Sequence, residues 1–250
     1  VVVTTPDESS PDAAGYRQHR FVPPPGATDL LLIRHGESQK AYLDQPFPLL
    51  DGHADPELAP TGLDQAERVA ARLAAGHIDA IYTSGLRRTN QTAAPLAARL
   101  GLIPRLEPGL REVRLGIWEG GLFRIRVAEH HPIARRMWEQ ERWDVIPDAE
   151  PADDFAARLR AAIGRLAAAH PDQRLAVVVH GGVIGQILAL ATGSRRFAFI
   201  GADNGSISRL IVDGGQWIVG GFNDTAHLDP TLSLTPQPPD ASPDGAGPLR

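Results

Sequence analysis

Two apolar runs in this chain each end in a histidine followed by glycine. The run Leu30–Ile33 leads into Arg34-His35-Gly36, and Ala176–Val179 leads into His180-Gly181-Gly182. One histidine at a strand end is ordinary, since it can simply cap or pack; two built alike point to a shared task. The glycines permit tight turns and close approach of backbone to a ligand. A helix that starts just after such a turn offers its free N–H groups to an anion. A neutral imidazole nitrogen is a competent nucleophile near pH 7, and the planar guanidinium of Arg34, beside His35, suits a phosphate. Phosphoryl transfer needs a nucleophile, positive charge on the equatorial oxygens and a proton for the leaving oxygen. Further candidates for the charge are the adjacent Arg87 and Arg88, and for the proton Glu112 and Glu119. The chain has no cysteine, which removes disulfides, thiolate catalysis, Fe–S clusters and cysteine zinc sites together and leaves nitrogen and oxygen chemistry.

These residues need a scaffold, and the pattern of the chain supplies one. The 250 residues are 42% hydrophobic and 22% charged, an ordinary globular composition able to bury a core. Residues 1–27 and 228–250 carry half of the 22 prolines in a fifth of the chain, which predicts disordered or loosely docked tails around a single domain over 28–227. Inside that span strands and helices alternate. Asp29–Arg34, Ile78–Tyr82 and Arg174–His180 read as buried strands. Thr61–Ala75 is a helix with Thr61 as its N-cap, and Arg87–Leu100 is a helix stopped by Gly101. Further helices are expected over 122–141, 153–169 and Gly182–Ala191. Ile207–Val212 and Gln216–Phe222 flank a hairpin turn at Asp213-Gly214-Gly215. The alternation predicts an α/β fold, a three-layer α/β/α sandwich on a largely parallel central sheet. In such sheets the site lies at the carboxyl ends of the strands, where both histidines fall.

Four segments resemble the histidine phosphatase superfamily, the phosphoglycerate-mutase-like group. The first is Arg34-His35-Gly36-Glu37-Ser38. The second is Ser84-Gly85-Leu86-Arg87-Arg88-Thr89-Asn90-Gln91-Thr92-Ala93. The third is Leu110-Arg111-Glu112 followed by Gly116-Ile117-Trp118-Glu119-Gly120, and the fourth is Val178-Val179-His180-Gly181-Gly182. Order and spacing agree over about residues 29–222. The resemblance implies a phosphoglycerate-mutase-like fold and a covalent phosphohistidine on His35. It also implies that Arg34, Arg88 and His180 hold the phosphoryl group, with Ser38 and Gly181 as further substrate contacts. Counted from Leu86 and back from Gln91, Arg88 rather than Arg87 takes the family's arginine position. The Leu-x-Glu spacing gives the acid role to Glu112 and leaves Glu119 structural.

Within the family the resemblance favours phosphatases over mutases. The stretch from Glu112 to His180 is short, Ser38 is followed by Gln39-Lys40-Ala41 where mutases carry Trp-Asn, and Gly182 stands where mutases usually show Asn. One departure from phosphatases is Gly185, at a place where many of them carry arginine. The implied function is hydrolysis of a small phosphorylated metabolite, with a phosphoglycerate-type mutase or a non-catalytic phosphate-binding member as alternatives. No cofactor is called for, and no metal: two arginines beside His35, His180 and Glu112 would repel a divalent cation. Arg135-Arg136 reads as a solvated face rather than a contact for an anionic substrate, His130-His131 as an exposed loop, and Trp118, Trp138 and Trp143 as core by default, with the lining of a substrate pocket as the alternative. His19, His53, His77, His170 and His227 read as ordinary surface or core residues. A net charge of −5 disfavours nucleic acid as a partner. The absence of any apolar run of about 18–20 residues disfavours a membrane, so a soluble, cytoplasmic protein is expected.

Overall fold

The computed structural model describes residues 21–229. In chain order the elements are β1 (Thr28–Arg34), β2 (Leu49–Leu50), β3 (His53–Ala54), α1 (Pro60–Leu73), β4 (Ala80–Thr83), α2 (Arg87–Leu100), β5 (Arg105–Leu106), α3 (Leu122–Ala128), α4 (Pro132–Gln140), α5 (Ala152–Ala169), β6 (Arg174–Val179), α6 (Gly181–Thr192), β7 (Ile207–Asp213) and β8 (Gln216–Asp224). The main sheet runs β5-β4-β6-β1-β7-β8. β5, β4, β6 and β1 are parallel, and the hairpin β7–β8 closes the sheet antiparallel to β1.

The period of two in β1 and β6 builds the three layers. Leu30 and Leu32 with Leu175, Val177 and Val179 face one side, where Phe155, Leu159 and Ile163 of α5 and Val183, Ile184 and Ile187 of α6 cover them. Ile33 with Ala176 and Val178 faces the other, against Val69 and Ala70 of α1 and Ala93 and Leu96 of α2. Both faces are buried, which is why these strands read as continuous apolar runs. In register, Arg34 pairs with Val179. The two histidines therefore leave the sheet side by side at its carboxyl edge.

Three expectations need correction. Residues 122–141 form two helices, not one: His130 takes a positive φ of 53° and Pro132, lacking an N–H, opens α4. Helix α1 begins at Pro60, with Ala59 as its N-cap and no side-chain cap, so Thr61 lies inside the first turn; Pro60 already has the φ a first helical residue requires. β4 starts at Ala80, two residues later than expected. The proposed tails fall mostly on residues 1–20 and 230–250, outside the described residues. Of the flanks that are described, Ala27 is buried, Gly26 N donates to Asp172 Oδ1 at 2.6 Å and the Leu228 side chain lies against Gly205.

Candidate active site

The parallel strands deliver three pieces of the site to one edge. β1 ends in Arg34-His35, β6 ends at His180, and the turn after β4 leads through Ser84 into α2, whose first turn carries Arg88. A cavity of about 730 Å3 opens there, lined by Arg34, His35, Arg88 and Glu112 at its base.

His35 is buried, and its proton is fixed by its neighbours. Nδ1 lies 2.7 Å from the Gly36 carbonyl, which can only accept, so Nδ1 donates. Arg88 Nε, which can only donate, lies 3.2 Å from Nε2. Both contacts demand the tautomer with hydrogen on Nδ1 and a lone pair on Nε2. Burial, then the charges of Arg88 and Arg34, hold the imidazole well below its usual pKa and so neutral. The backbone is anchored by His35 N to Val179 O at 3.0 Å and by Asn204 Nδ2 to His35 O at 2.9 Å. Gly36 is obligatory at this point: a Cβ there would stand 2.4 Å from the Gly62 carbonyl oxygen.

His180 is fully buried, its ring centroid 5.2 Å from that of His35. Its Nε2 shares a 2.9 Å hydrogen bond with Ser84 Oγ, while Nδ1 has no protein partner. Arg34 Nη1 donates to Ala202 O at 2.5 Å, and its buried Nε is likewise unpartnered. Arg88 Nη1 donates to Ala54 O at 2.7 Å, and burial lowers its pKa to about 10. An anion with several acceptor oxygens satisfies such donors, and neither guanidinium forms an ion pair among the described residues.

Glu112 stands opposite. Its Oε1 accepts from Val113 N at 3.0 Å and Oε2 from Gly182 N, in the first turn of α6, at 3.1 Å. Burial nevertheless raises its pKa, against the lowering by these bonds and by Arg88 and Arg34. Gly182 makes the approach possible, because a Cβ there would lie 2.5 Å from Glu112 Oε1. The loop carrying Glu112 is held from behind by Arg158 of α5, which donates to the carbonyls of Gly109 and Arg111 at 2.8 and 2.9 Å and of Glu112 at 3.3 Å.

His35, Arg34, Arg88, His180 and Glu112 thus converge. Gly181 opens α6 with the Arg34 side chain across it. Ser38 lines the cavity, but its Oγ accepts from Arg124 Nη2 at 2.6 Å. Arg87 is half exposed and reaches Asp55 and Glu57. Glu119 spends its two oxygens on Ala54 N and Leu115 N, at 2.7 Å each. Arg135 and Arg136 are exposed. Ser84, Asn204 and Arg124 are site residues that the motifs do not mark, and His53, expected to be ordinary, lines the cavity. Ser84 and Arg124 sit in segments that were singled out, but nothing in their spacing marks them; Asn204 lies in a loop without pattern. His131 is not a free loop residue: it caps α4, accepting from Ile133 N, and meets Trp118 edge to face. Among the described residues no group of three His, Asp or Glu side chains is placed to hold a metal ion, and no helix is long and apolar enough to cross a membrane.

An α/β sheet with paired strand-end histidines over a cationic pocket defines a class of phosphate-handling proteins. Residues 30–225 match the family model of the histidine phosphatase superfamily (branch 1), and the chain belongs to that superfamily. It is 33% identical over 208 residues to phosphoglycerate mutase-like protein 4 of Arabidopsis thaliana, covering 81% of this chain and 88% of that protein. Among solved structures it resembles a mycobacterial glucosyl-3-phosphoglycerate phosphatase, with a TM-score of 0.66 and 29% identity over 80% of this chain and all of that one. A phosphoserine phosphatase from Entamoeba histolytica, solved with phosphoserine, gives a TM-score of 0.66 and 25% identity over 80% of this chain and 99% of that one.

Proposed function

We propose that the protein hydrolyses phosphomonoesters of small metabolites in two steps through a phosphohistidine on His35. The observation that carries this reading is the enforced tautomer of His35, which turns a neutral Nε2 lone pair into the cationic pocket. In the first step Nε2 attacks phosphorus, the bond from phosphorus to the ester oxygen breaks, and that oxygen takes the proton of Glu112. Arg34, Arg88 and His180 hold the three equatorial oxygens as charge develops on them. His180 donates through Nδ1 when Ser84 gives its hydroxyl proton to Nε2. In the second step water attacks, Glu112 takes its proton, and the bond from phosphorus to Nε2 breaks. Arg34 and Gly181 meet at the start of α6, whose N-terminal dipole adds to the anion site. The similarity to phosphatases supports water as the acceptor; the similarity to a protein named as mutase-like supports a second reading, in which another hydroxyl takes its place.

Rapid quench with labelled ester, in EDTA throughout, tests the reading. The expected result is a phosphoprotein stable to alkali and labile to acid, followed by inorganic phosphate. His35→Ala is expected to abolish both, with turnover lowered by several orders of magnitude. A variant retaining more than a few per cent of activity overturns the assignment. Phosphate passing to an added alcohol faster than to water shows the mutase reading instead.

A further inference from the structure

We infer that the site selects phosphomonoesters with a bulky apolar or aromatic leaving group, seated between α3 and the 47–56 segment, over esters whose leaving group is a short anion. This rests on the phosphatase reading and extends it to the substrate class.

The cavity is far larger than its catalytic base requires: about 730 Å3 lies within the range that encloses a whole drug-sized ligand. Outward from His35 and Glu112 its wall is formed by Phe47, Leu115, Phe123, Ile125, Ala128 and Trp143. Helix α3 supplies three of these. Its sequence carries Leu122, Phe123, Ile125 and Val127 in seven residues, yet none is fully buried. Leu122, Phe123 and Val127 pack against the core, yet the helix leaves Phe123 and Ile125 partly open to the cavity. Two positive-φ glycines, Gly120 and Gly121, set its start.

The charges on the same wall are mostly engaged. Arg124 donates to Ser38 Oγ at 2.6 Å and Gln39 O at 2.9 Å, and its guanidinium lies 5.6 Å from the Phe47 ring centroid. Both Glu119 oxygens are taken by backbone amides. Glu37 also lines the wall, and burial keeps His53 below its usual pKa. Among the described residues that line the cavity, Lys40 is an exposed cation open to a second anionic group. An apolar leaving group gains from the aromatic wall, whereas a carboxylate there meets Glu37 and Glu119 and finds the donors of Arg124 held by Ser38 and Gln39.

The test compares esters of primary alcohols, so that leaving-group basicity is nearly matched: a straight-chain alkyl phosphate series, 2-phenylethyl phosphate, 3-phosphoglycerate and phosphoserine. On the full-length chain kcat/KM is expected to rise by up to about tenfold for each added pair of methylenes until the wall is filled. 2-Phenylethyl phosphate should then exceed 3-phosphoglycerate by at least about tenfold. Phe123→Ala is expected to lower kcat/KM for 2-phenylethyl phosphate by a larger factor than for methyl phosphate, mainly through KM. A higher kcat/KM for 3-phosphoglycerate than for 2-phenylethyl phosphate, abolished by Lys40→Ala, overturns the inference. Calorimetric binding of 2-phenylethylphosphonate against 2-carboxyethylphosphonate reads the same preference without turnover. Failure of all hydrolysis with preferred binding of the aryl phosphonate therefore falsifies the chemistry and sustains the pocket, while equal or reversed binding sinks the pocket alone.

Discussion

Burial moves two groups of the site in opposite directions along the pH scale. The His35 imidazole is pushed down and stays neutral, as the proposed nucleophile must, while the carboxyl of Glu112, the proposed acid, is pushed up and keeps a proton longer. Paired environments that separate two pKa values in this way divide the base from the acid. Glu112 matters most where the leaving oxygen is poorest. An alkoxide needs a proton in the transition state, whereas p-nitrophenolate leaves without one, and general acid help is worth about 10²–10⁴-fold. Glu112→Gln is therefore expected to slow the phosphoenzyme burst from an alkyl phosphate far more than the burst from p-nitrophenyl phosphate. Steady-state rates blur the difference, because the water step loses its base with either substrate. Equal slowing of both bursts would reassign Glu112 to positioning. The acid would then be sought at Glu119, which lines the same cavity and whose carboxyl burial also raises.

At the scale of elements, Glu112 sits on a loop and gains its position from a helix behind it. Arg158 of α5 grips the loop carbonyls of Gly109, Arg111 and Glu112 while its Nε and Nη2 pair with Glu150, at 2.8 and 2.7 Å. Arg158→Met keeps much of the stem's packing and removes this fork. A hydrogen bond to a charged group is worth about 1.5–3 kcal/mol net, and bonds within one partly exposed fork do not add, so a destabilisation of about 2–3 kcal/mol is expected. A purely structural role stops there. A positioning role adds a change in leaving-group dependence: alkyl phosphates lose more kcat than p-nitrophenyl phosphate, and Arg158→Lys, with no planar fork, restores stability better than it restores this ratio. An unchanged ratio in Arg158→Met would leave only the structural role. The sequence displayed the strands and the two histidines because burial on both sheet faces writes β1 and β6 as unbroken apolar runs. It did not display the Arg158 clamp, since an arginine among Ala and Leu on α5 looks like any solvated helix residue until the loop folds onto it. Residues 122–141 keep apolar residues at helical spacing across the break, which masks the boundary that Pro132 marks; the positive φ of His130 separates α3 from α4. Arg124 became visible with it. The strand order, too, depends on long-range pairing that local pattern does not carry.

For the molecule as a whole, a catalytic pocket with two neutral buried histidines sets the response of stability to acid. His35 and His180 are both held well below the unfolded value near 6.5, first by burial and next by the charge of Arg88. The unfolded chain binds protons at these positions that the native state refuses, so stability falls as pH drops through about 6.5 and keeps falling until the native pKa values are reached. Each such group contributes a slope of about 1.4 kcal/mol per pH unit in that window. His53 and His227, lowered less, add to it with the same sign. Glu112 and Glu119 act oppositely, because their raised native pKa values bind protons before the unfolded carboxyls do, and they flatten the curve toward pH 4.5. Asp29, bound to Arg174 and Arg209 at the far end of β1, is held below 3.8, so its contribution survives until pH falls below that value. The melting temperature in phosphate-free buffer is therefore expected to decline between pH 7 and about 5.5, before any carboxylate with a lowered pKa titrates. Phosphate must be absent because an anion that binds the native pocket adds its own linkage. His35→Asn is expected to make the decline shallower, and adding His180→Asn shallower still, whatever either substitution does to the melting temperature at pH 7. A wild-type curve that is flat over this interval, or a double variant with the wild-type slope, would show that the histidines accept protons in the folded protein and that the neutral nucleophile is not enforced by the pocket.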